Sequence, residues 1–262
     1  MHIVVCIKQV PDTTNVRINP ETNTLVREGV QSIINPFDMY ALEEALRIKE
    51  RIGKGKVTVI SMGPPQVEAA LRDTIALGVD DIILLSDRAF AGSDTLATSY
   101  TLSRGIKKLG KIDLVLCGKQ AIDGDTAQVG PGISVFLGWP HVSFVKKIEE
   151  IKDSSMKIWR MMDDGYDIVE VKLPAVFSVV KEINEPRMPS LKGKMRSKSA
   201  ELKIWKAADL KVDEKKIGLN GSPTQVVTIF SPPPRSAGKI YEGDADEAVS
   251  HLVGTLKKDG II

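Results

Sequence analysis

The chain has 262 residues, of which 42% are apolar and 27% charged, with a formal net charge of +2 from 36 Lys and Arg against 34 Asp and Glu. That balance excludes a disordered chain and a global electrostatic pull toward nucleic acid; no apolar run approaches the roughly 18 residues of a membrane span. A folded cytoplasmic protein without membrane insertion is expected, built as one large domain or as a domain with an arm.

The N-terminal run MHIVVCIKQV is too short for a signal peptide and reads as a first strand, followed by Pro11 and Asp12. KVTVISM (56–62), DIILLS (81–86) and DLVLC (113–117) repeat that character, with amphipathic segments between them. After Asn35, the residues Ala41, Leu42, Ala45, Leu46, Ile48 and Ile52 line one helical face, and Glu43, Glu44, Lys49 and Glu50 lie opposite. Asn35 suits the cap, Pro36 the first helical position and Asp38 the positive helix end. A second helix is expected over 64–78, stopped by Gly78, and a third over 93–110, starting near Ser93. This alternation predicts a doubly wound α/β fold, Rossmann-like, with a mostly parallel sheet. Ligands of such folds gather at the carboxyl ends of strands, here VPDT (10–13), SMG (61–63) and GKQ (118–120).

Beyond Trp139 and Pro140 the helices give way to strand-like runs, HVSFVKKIEEI, MKIWRMM and DIVEVKLPAVFSVV (167–180), expected to add an antiparallel edge. Gly165 follows Asp164 as in a hairpin turn. From Asn184 the text becomes irregular, with basic residues at 187, 192, 194, 196 and 198 and the run Ser231-Pro-Pro-Pro-Arg235, before a helix over 244–258. The expected division is an α/β domain over 1–183 and an extended C-terminal arm over 184–262. The basic run reads as a solvated surface or, with the apolar Leu191 inside it, as a partner contact.

Cys6 and Cys117 sit in apolar runs and read as buried reduced thiols, and His2, His141 and His251 lack metal-ligand spacing. No metal site, thiol nucleophile or catalytic side chain is expected. The stretch GKQAIDGDTAQVGPG (118–132) has more small and polar residues than a chain reversal needs. Its backbone N–H groups, the Thr126 hydroxyl and the Gln128 amide could meet a phosphate at the next helix's N-terminus, and Gly124 permits close approach. Asp123 and Asp125 would repel that phosphate unless turned outward, used as caps or bound to a ribose, so these residues leave open a nucleotide loop and a capped surface loop. No GxGxxG follows the first strand, and the phosphate-loop lookalike at 105–111 leads into a strand with Ile112 where Ser or Thr is needed.

Taken together and in order, IVVCIKQVPDT, INPFDMYALEEALRIKE, VISMGPPQ, LVLCGKQAIDGDTAQVGPGISVFLGWP, DDGYDIVEVKLPAVFSVVKEINEPR and SPPPRSAG resemble the beta subunit of electron transfer flavoproteins over nearly the entire chain. The family's signature turn is nearly kept as Asp164-Gly165-Tyr166-Asp167, with Asp167 where Glu is more frequent and Val179 where a small residue is usual. The resemblance implies a heterodimer with an alpha subunit in which this chain holds a nucleotide. By position, its cofactor-binding residues would be Cys6, Asn35, Pro36, Phe37, Asp38, Met62, Gly118, Lys119, Gln120, Ala121, Ile122, Asp123, Gly124, Asp125, Thr126, Ala127, Gln128 and Val129.

Segments 10–13 and 124–131 look more like the electron-bifurcating branch than the simple carriers, which favours FAD over AMP as the cofactor. The resemblance then implies NADH as electron donor, with ferredoxin or flavodoxin and an acyl-CoA dehydrogenase or related enoyl-CoA reductase as acceptors. Leu191 would be the docking anchor for the dehydrogenase. The chain would thus be an electron-transfer subunit within an NADH-dependent oxidoreductase complex. The alternatives are a non-bifurcating carrier subunit holding AMP and a stand-alone enzyme resembling adenine nucleotide hydrolases.

Overall fold

Runs of β-branched residues make the strands, and between them the 3.6-residue apolar period makes the helices. The computed structural model describes residues 1–12, 17–18, 25–26, 32–227, 238, 240–241 and 243–262. Thr13 and the run at 231–235 lie outside the described residues. The chain divides into two units, Met1–Val227 and Thr228–Ile262.

The first unit opens with β1 (His2–Cys6), then β2 (Gln9–Pro11), the short pair β3 (Arg17–Ile18) and β4 (Leu25–Val26), and β5 (Ser32–Ile34). There follow α1 (Pro36–Ile52), β6 (Lys56–Met62), α2 (Val67–Leu77), β7 (Asp81–Leu85), α3 (Thr95–Lys108), β8 (Leu114–Gly118) and α4 (Val129–Leu137). The strands β9 (His141–Ile151), β10 (Ser155–Met161), β11 (Tyr166–Lys172) and β12 (Ala175–Val179) come next, then α5 (Leu191–Ser199), β13 (Leu202–Trp205) and α6 (Ala207–Leu210).

Nine of these strands form one sheet in the order β11-β10-β9-β12-β8-β1-β6-β7-β13. The pairs from β9 through β12, β8, β1, β6 and β7 to β13 are parallel, while β10 runs antiparallel to both of its neighbours, β9 and β11. The expected doubly wound sheet with an antiparallel edge is therefore present. Ala41, Leu42, Ala45 and Leu46 of α1 and Val67, Leu71 and Ile75 of α2 cover one face, packed with Ile3, Val5, Val59 and Leu116. Leu102 and Ile106 of α3 and Ile133 of α4 cover the other, packed with Val4, Cys6, Ile60, Val115 and Cys117. Residues of one strand alternate between these faces, which is why the central strands read as unbroken apolar runs.

Several details refine or correct the sequence expectation, among them Glu43 and Glu44, which are buried and do not face solvent on the polar side of α1. The run 167–180 is two strands: β11, which alternates apolar and polar, lies at the outer edge, whereas the wholly buried AVFSV of β12 enters the interior between β9 and β8. The third helix starts near Ser93 as expected, with Asp94 as its cap, Oδ1 accepting the Leu96 and Ala97 N–H groups at 2.9 and 3.1 Å. Past Asn184 the chain forms α5 against α2 and returns as β13 beside β7; a Cβ on Gly193 would collide with the Ala76 carbonyl. The Gly165 turn is as expected, Met162 N–H bonding to Gly165 C=O at 2.9 Å between β10 and β11.

In the second unit, α7 (Ala245–Lys258) is capped by Asp244, whose Oδ2 accepts the Asp246 N–H at 3.1 Å, and Tyr241 stacks on His251 with ring centroids 5.9 Å apart. No helix among the described residues is long and apolar enough to cross a membrane.

Candidate functional site

Chain order and strand order together locate a crevice. From β1 the chain crosses through α1 to β6 and through α2 to β7, then returns through α3 to β8 on the far side of β1. The crossover direction reverses between β1 and β8, and at such a switch point the helices leave opposite faces and open a cleft at the carboxyl ends. Cys6 and Cys117 are direct register partners there, both buried and free, and Met62 at the tip of β6 packs on the same face. Hydrogen bonding to Cys6, with burial, raises the Cys117 thiol well above its ordinary value, which makes it a poor nucleophile.

The α1 N-terminus closes the cleft from the other face. Asn35 is 1% exposed and begins the helix, but its side chain does not cap it. Its Nδ2 donates instead to the Gln120 carbonyl at 2.8 Å, and its Oδ1 accepts the Ile122 N–H at 3.2 Å, so one amide ties the helix start to the loop after β8. Asp38, 7% exposed, spans the switch point: Oδ2 accepts the Lys8 N–H at 2.8 Å and Oδ1 the Gly118 N–H at 3.2 Å. Burial pushes its carboxyl up to about 7, against the Lys8 N–H, the Asn35 side chain and the Gly118 N–H. Pro36 is exposed and Phe37 half-buried beside them.

The loop 119–128 lies above the tips. Lys119 N–H bonds to Val179 C=O at 2.9 Å, which fixes the loop's root to β12. One of its two acids is compensated by a cation, Asp123 forming an ion pair with Lys8 Nζ at 2.7 Å, while Asp125 accepts a hydrogen bond from the uncharged Gln120 amide. The repulsion that the sequence raised against a phosphate is thereby reduced. Asp125 and Ala127 have positive φ, 52° and 54°, while Gln128 has φ −98°. Such sign changes turn successive N–H groups toward one concavity, and the Val129 and Gly130 N–H groups, opening α4, have no intrahelical acceptor. Gly124 has no atom within 4 Å of an added Cβ, and Thr126 is exposed, so both face open space.

Thus 35, 38, 118, 120, 122, 123 and 125 are joined by hydrogen bonds, and Cys6 and Met62 share the facing wall. Sequence reading missed Lys8, which lies just past the end of β1 and which the carboxyl-end rule would have nominated. It also missed Thr95 and Ser99 of α3, which donate to Gln128 Oε1 at 2.9 Å and Val129 C=O at 3.3 Å. No short motif marks those two, because the contact joins segments some thirty residues apart.

Arg187 is set apart from the rest of the basic segment, whose Lys192, Lys194, Arg196 and Lys198 are exposed as a solvated run would be. Arg187 bonds Glu43 through Nε at 2.8 Å and Glu50 through Nη1 at 2.5 Å, and Asn184 Nδ2 donates to Tyr40 C=O and Glu44 Oε2, each at 3.0 Å. The strap 184–187 is thereby fastened to the back of α1. Beyond it Met188, Leu191 and Met195 are 87%, 79% and 69% exposed, and Leu191 and Met195, four apart on α5, share a face among Lys192, Lys194 and Lys198.

The electron transfer flavoprotein domain matches residues 22–210. The chain is 53% identical over 263 residues to the electron transfer flavoprotein subunit beta of Thermoanaerobacterium thermosaccharolyticum, covering 100% of both chains. It is 49% identical over 263 residues to the caffeyl-CoA reductase-Etf complex subunit CarD of Acetobacterium woodii, again covering 100% of both. Protein FixA of Azotobacter vinelandii is 49% identical over 254 residues, covering 94% of this chain and 90% of its own. With its doubly wound sheet, the reversal of strand order between β1 and β8 and full-length likeness to these proteins, the chain belongs to the electron transfer flavoprotein family, among its beta subunits.

Proposed function

We propose that the cleft between β1 and β8 holds an adenine nucleotide cofactor, FAD in preference to AMP, and that the chain works as a heterodimer with an alpha subunit. The observation that carries this reading is the convergence of the α1 start, the β1 and β8 tips and the donor-rich loop on one switch point, with Asp123 already in an ion pair and Asp125 turned to the Gln120 amide. The residues present fit such a group. The N–H groups at 126–130, with the Thr126 hydroxyl, would take the phosphates, and Gly124 leaves room beside them. Cys6, Met62 and the residues at 35–38 and 118–123 would form the walls. A bound flavin would supply hydride and single-electron chemistry; the protein orients it and excludes water.

The reading extends to electron bifurcation: NADH delivers hydride, and electrons part toward ferredoxin or flavodoxin and toward an acyl-CoA dehydrogenase or related reductase. The likeness to a subunit of a reductase-Etf complex supports it. The test is to purify the chain with its alpha partner, release the cofactors by denaturation and count them. Two FAD and no AMP per heterodimer are expected; one FAD with one AMP would make this a simple carrier subunit.

Docking of the dehydrogenase is assigned to Leu191, with Met188 and Met195 beside it and the surrounding lysines facing an acidic partner. Leu191→Ala is expected to keep the cofactor content and NADH reduction unchanged while lowering the rate of electron delivery to the dehydrogenase by about tenfold or more. Steady-state transfer against partner concentration checks this, and an unchanged rate would remove Leu191 from the interface.

A further inference from the structure

If the cleft is a nucleotide site, Asp38 has no obvious use as a ligand group, because backbone donors already occupy both of its oxygens. It also stands where the fold needs a fastening. The β1–β8 ladder ends at Cys6 and Cys117, and the Lys8 and Gly118 N–H groups lie beyond that last pair. The approach is close: a Cβ on Gly118 would lie 2.6 Å from the Phe37 carbonyl carbon and 2.7 Å from the Asp38 nitrogen. We propose that Asp38 is a positioning residue whose ionised carboxylate clips the tips of β1 and β8 to the first turn of α1, and so sets the mouth of the nucleotide cleft. This rests on the nucleotide reading of the preceding section.

The clip has a built-in proton dependence. An ionised carboxylate accepts at both oxygens, whereas a protonated one sets an O–H against one of the two N–H donors and weakens that side. Burial, opposed by the hydrogen bonds from Lys8, Asn35 and Gly118 and by the Lys8 charge, brings Asp38 to about 7. The other titratable groups toward it are Lys8, which pairs with Asp123 of the loop, Cys117 of β8, and Cys6 of β1, which bonds Cys117. Acidification through neutrality therefore opens the mouth. Stability moves the opposite way: a raised carboxyl favours the fold fully below its ordinary value of 3.8, and that contribution is lost as the pH rises through about 7. Opposed directions for affinity and stability separate positioning from general unfolding.

The experiment uses the complex with its alpha partner, stripped of nucleotide and titrated with FAD over about two pH units either side of 7, alongside hydrogen exchange of the Lys8 and Gly118 amides corrected for intrinsic rate. Wild-type affinity is expected to fall several-fold as the pH drops through about 7, with protection of both amides falling in step. Asp38→Asn, isosteric but with an amide in place of one acceptor, is expected to bind weakly and without that inflection. An affinity that rises on acidification would mean that the carboxylate acts by repelling the pyrophosphate, and a flat wild-type profile would mean that the clip does not set the mouth; either overturns the proposal. Amide protection that switches with pH in a complex taking neither FAD nor AMP would keep the clip and overturn the nucleotide reading.

Discussion

Gly118→Ala is expected to strip the proposed nucleotide from the purified heterodimer and to lower its thermal stability. The added methyl would lie 2.6 and 2.7 Å from backbone atoms of Phe37 and Asp38, so no side-chain rotation relieves it. The first turn of α1 must move away from β8, and with it the Asp38 and Asn35 hydrogen bonds that hold the loop. Overpacking of this kind costs about 1–3 kcal/mol, which in a chain of this size lowers the melting temperature by about 2–10 °C. The loss of cofactor should be out of proportion to that, because the displaced atoms form the cleft itself. Gly124→Ala is the control: its φ lies outside the left-handed region and no atom is within 4 Å, so folding and stability should stay near wild type. Cofactor retained by Gly118→Ala at the wild-type level would show that the nucleotide lies elsewhere.

Arg187→Ala carries the second large effect, on stability and on docking together. Glu43 is buried, and it accepts from Arg187 Nε at 2.8 Å and from Arg47 Nε at 2.7 Å; Arg187 also holds Glu50. Burial pushes Glu43 up, but the Arg187 and Arg47 hydrogen bonds outweigh it and leave the carboxyl below its ordinary range. Removing one of two cations from a buried carboxylate should cost about 2–4 kcal/mol, since Arg47 remains. The freed strap should also misplace Leu191, raising the concentration of the proposed dehydrogenase partner needed for half-maximal transfer while leaving the count of the proposed FAD unchanged. For a lowered carboxyl the stabilisation is present above its ordinary value of 4.5 and is lost as the pH falls through the folded-state value beneath it. The gap in melting temperature between wild type and variant should therefore narrow on acidification below 4.5. A gap that does not change with pH would show that lost packing of the guanidinium stem, not the ion pair, dominates.

Much of the site could be read as residue types but not as roles. The loop at 118–132 was legible because a strand tip rich in Gly, Asp, Thr and Gln exceeds what a turn requires. The partners of its acids were not, since Lys8 is 115 residues from Asp123 in the chain. Asn35 shows the same limit: local rules assign it to the helix cap, and it caps nothing with its side chain because Gln120 and Ile122 stand within reach across the cleft. Arg187, one of five basic positions in an irregular stretch, was indistinguishable from its neighbours until α1 placed two glutamates beside it.

By itself the sequence determined the alternation of strands and helices, the two apolar faces of the sheet, the hairpin at Gly165 and the family, because each is written in local periodicity, turn chemistry or the order of motifs. Tertiary structure alone decided that β12 enters the sheet interior while β11 stays at the edge, that the chain after Asn184 returns as β13, and that Asp38 bridges β1 and β8. Those outcomes depend on which distant backbone donors and apolar surfaces are left to be satisfied once the sheet has assembled, and no local pattern encodes that remainder.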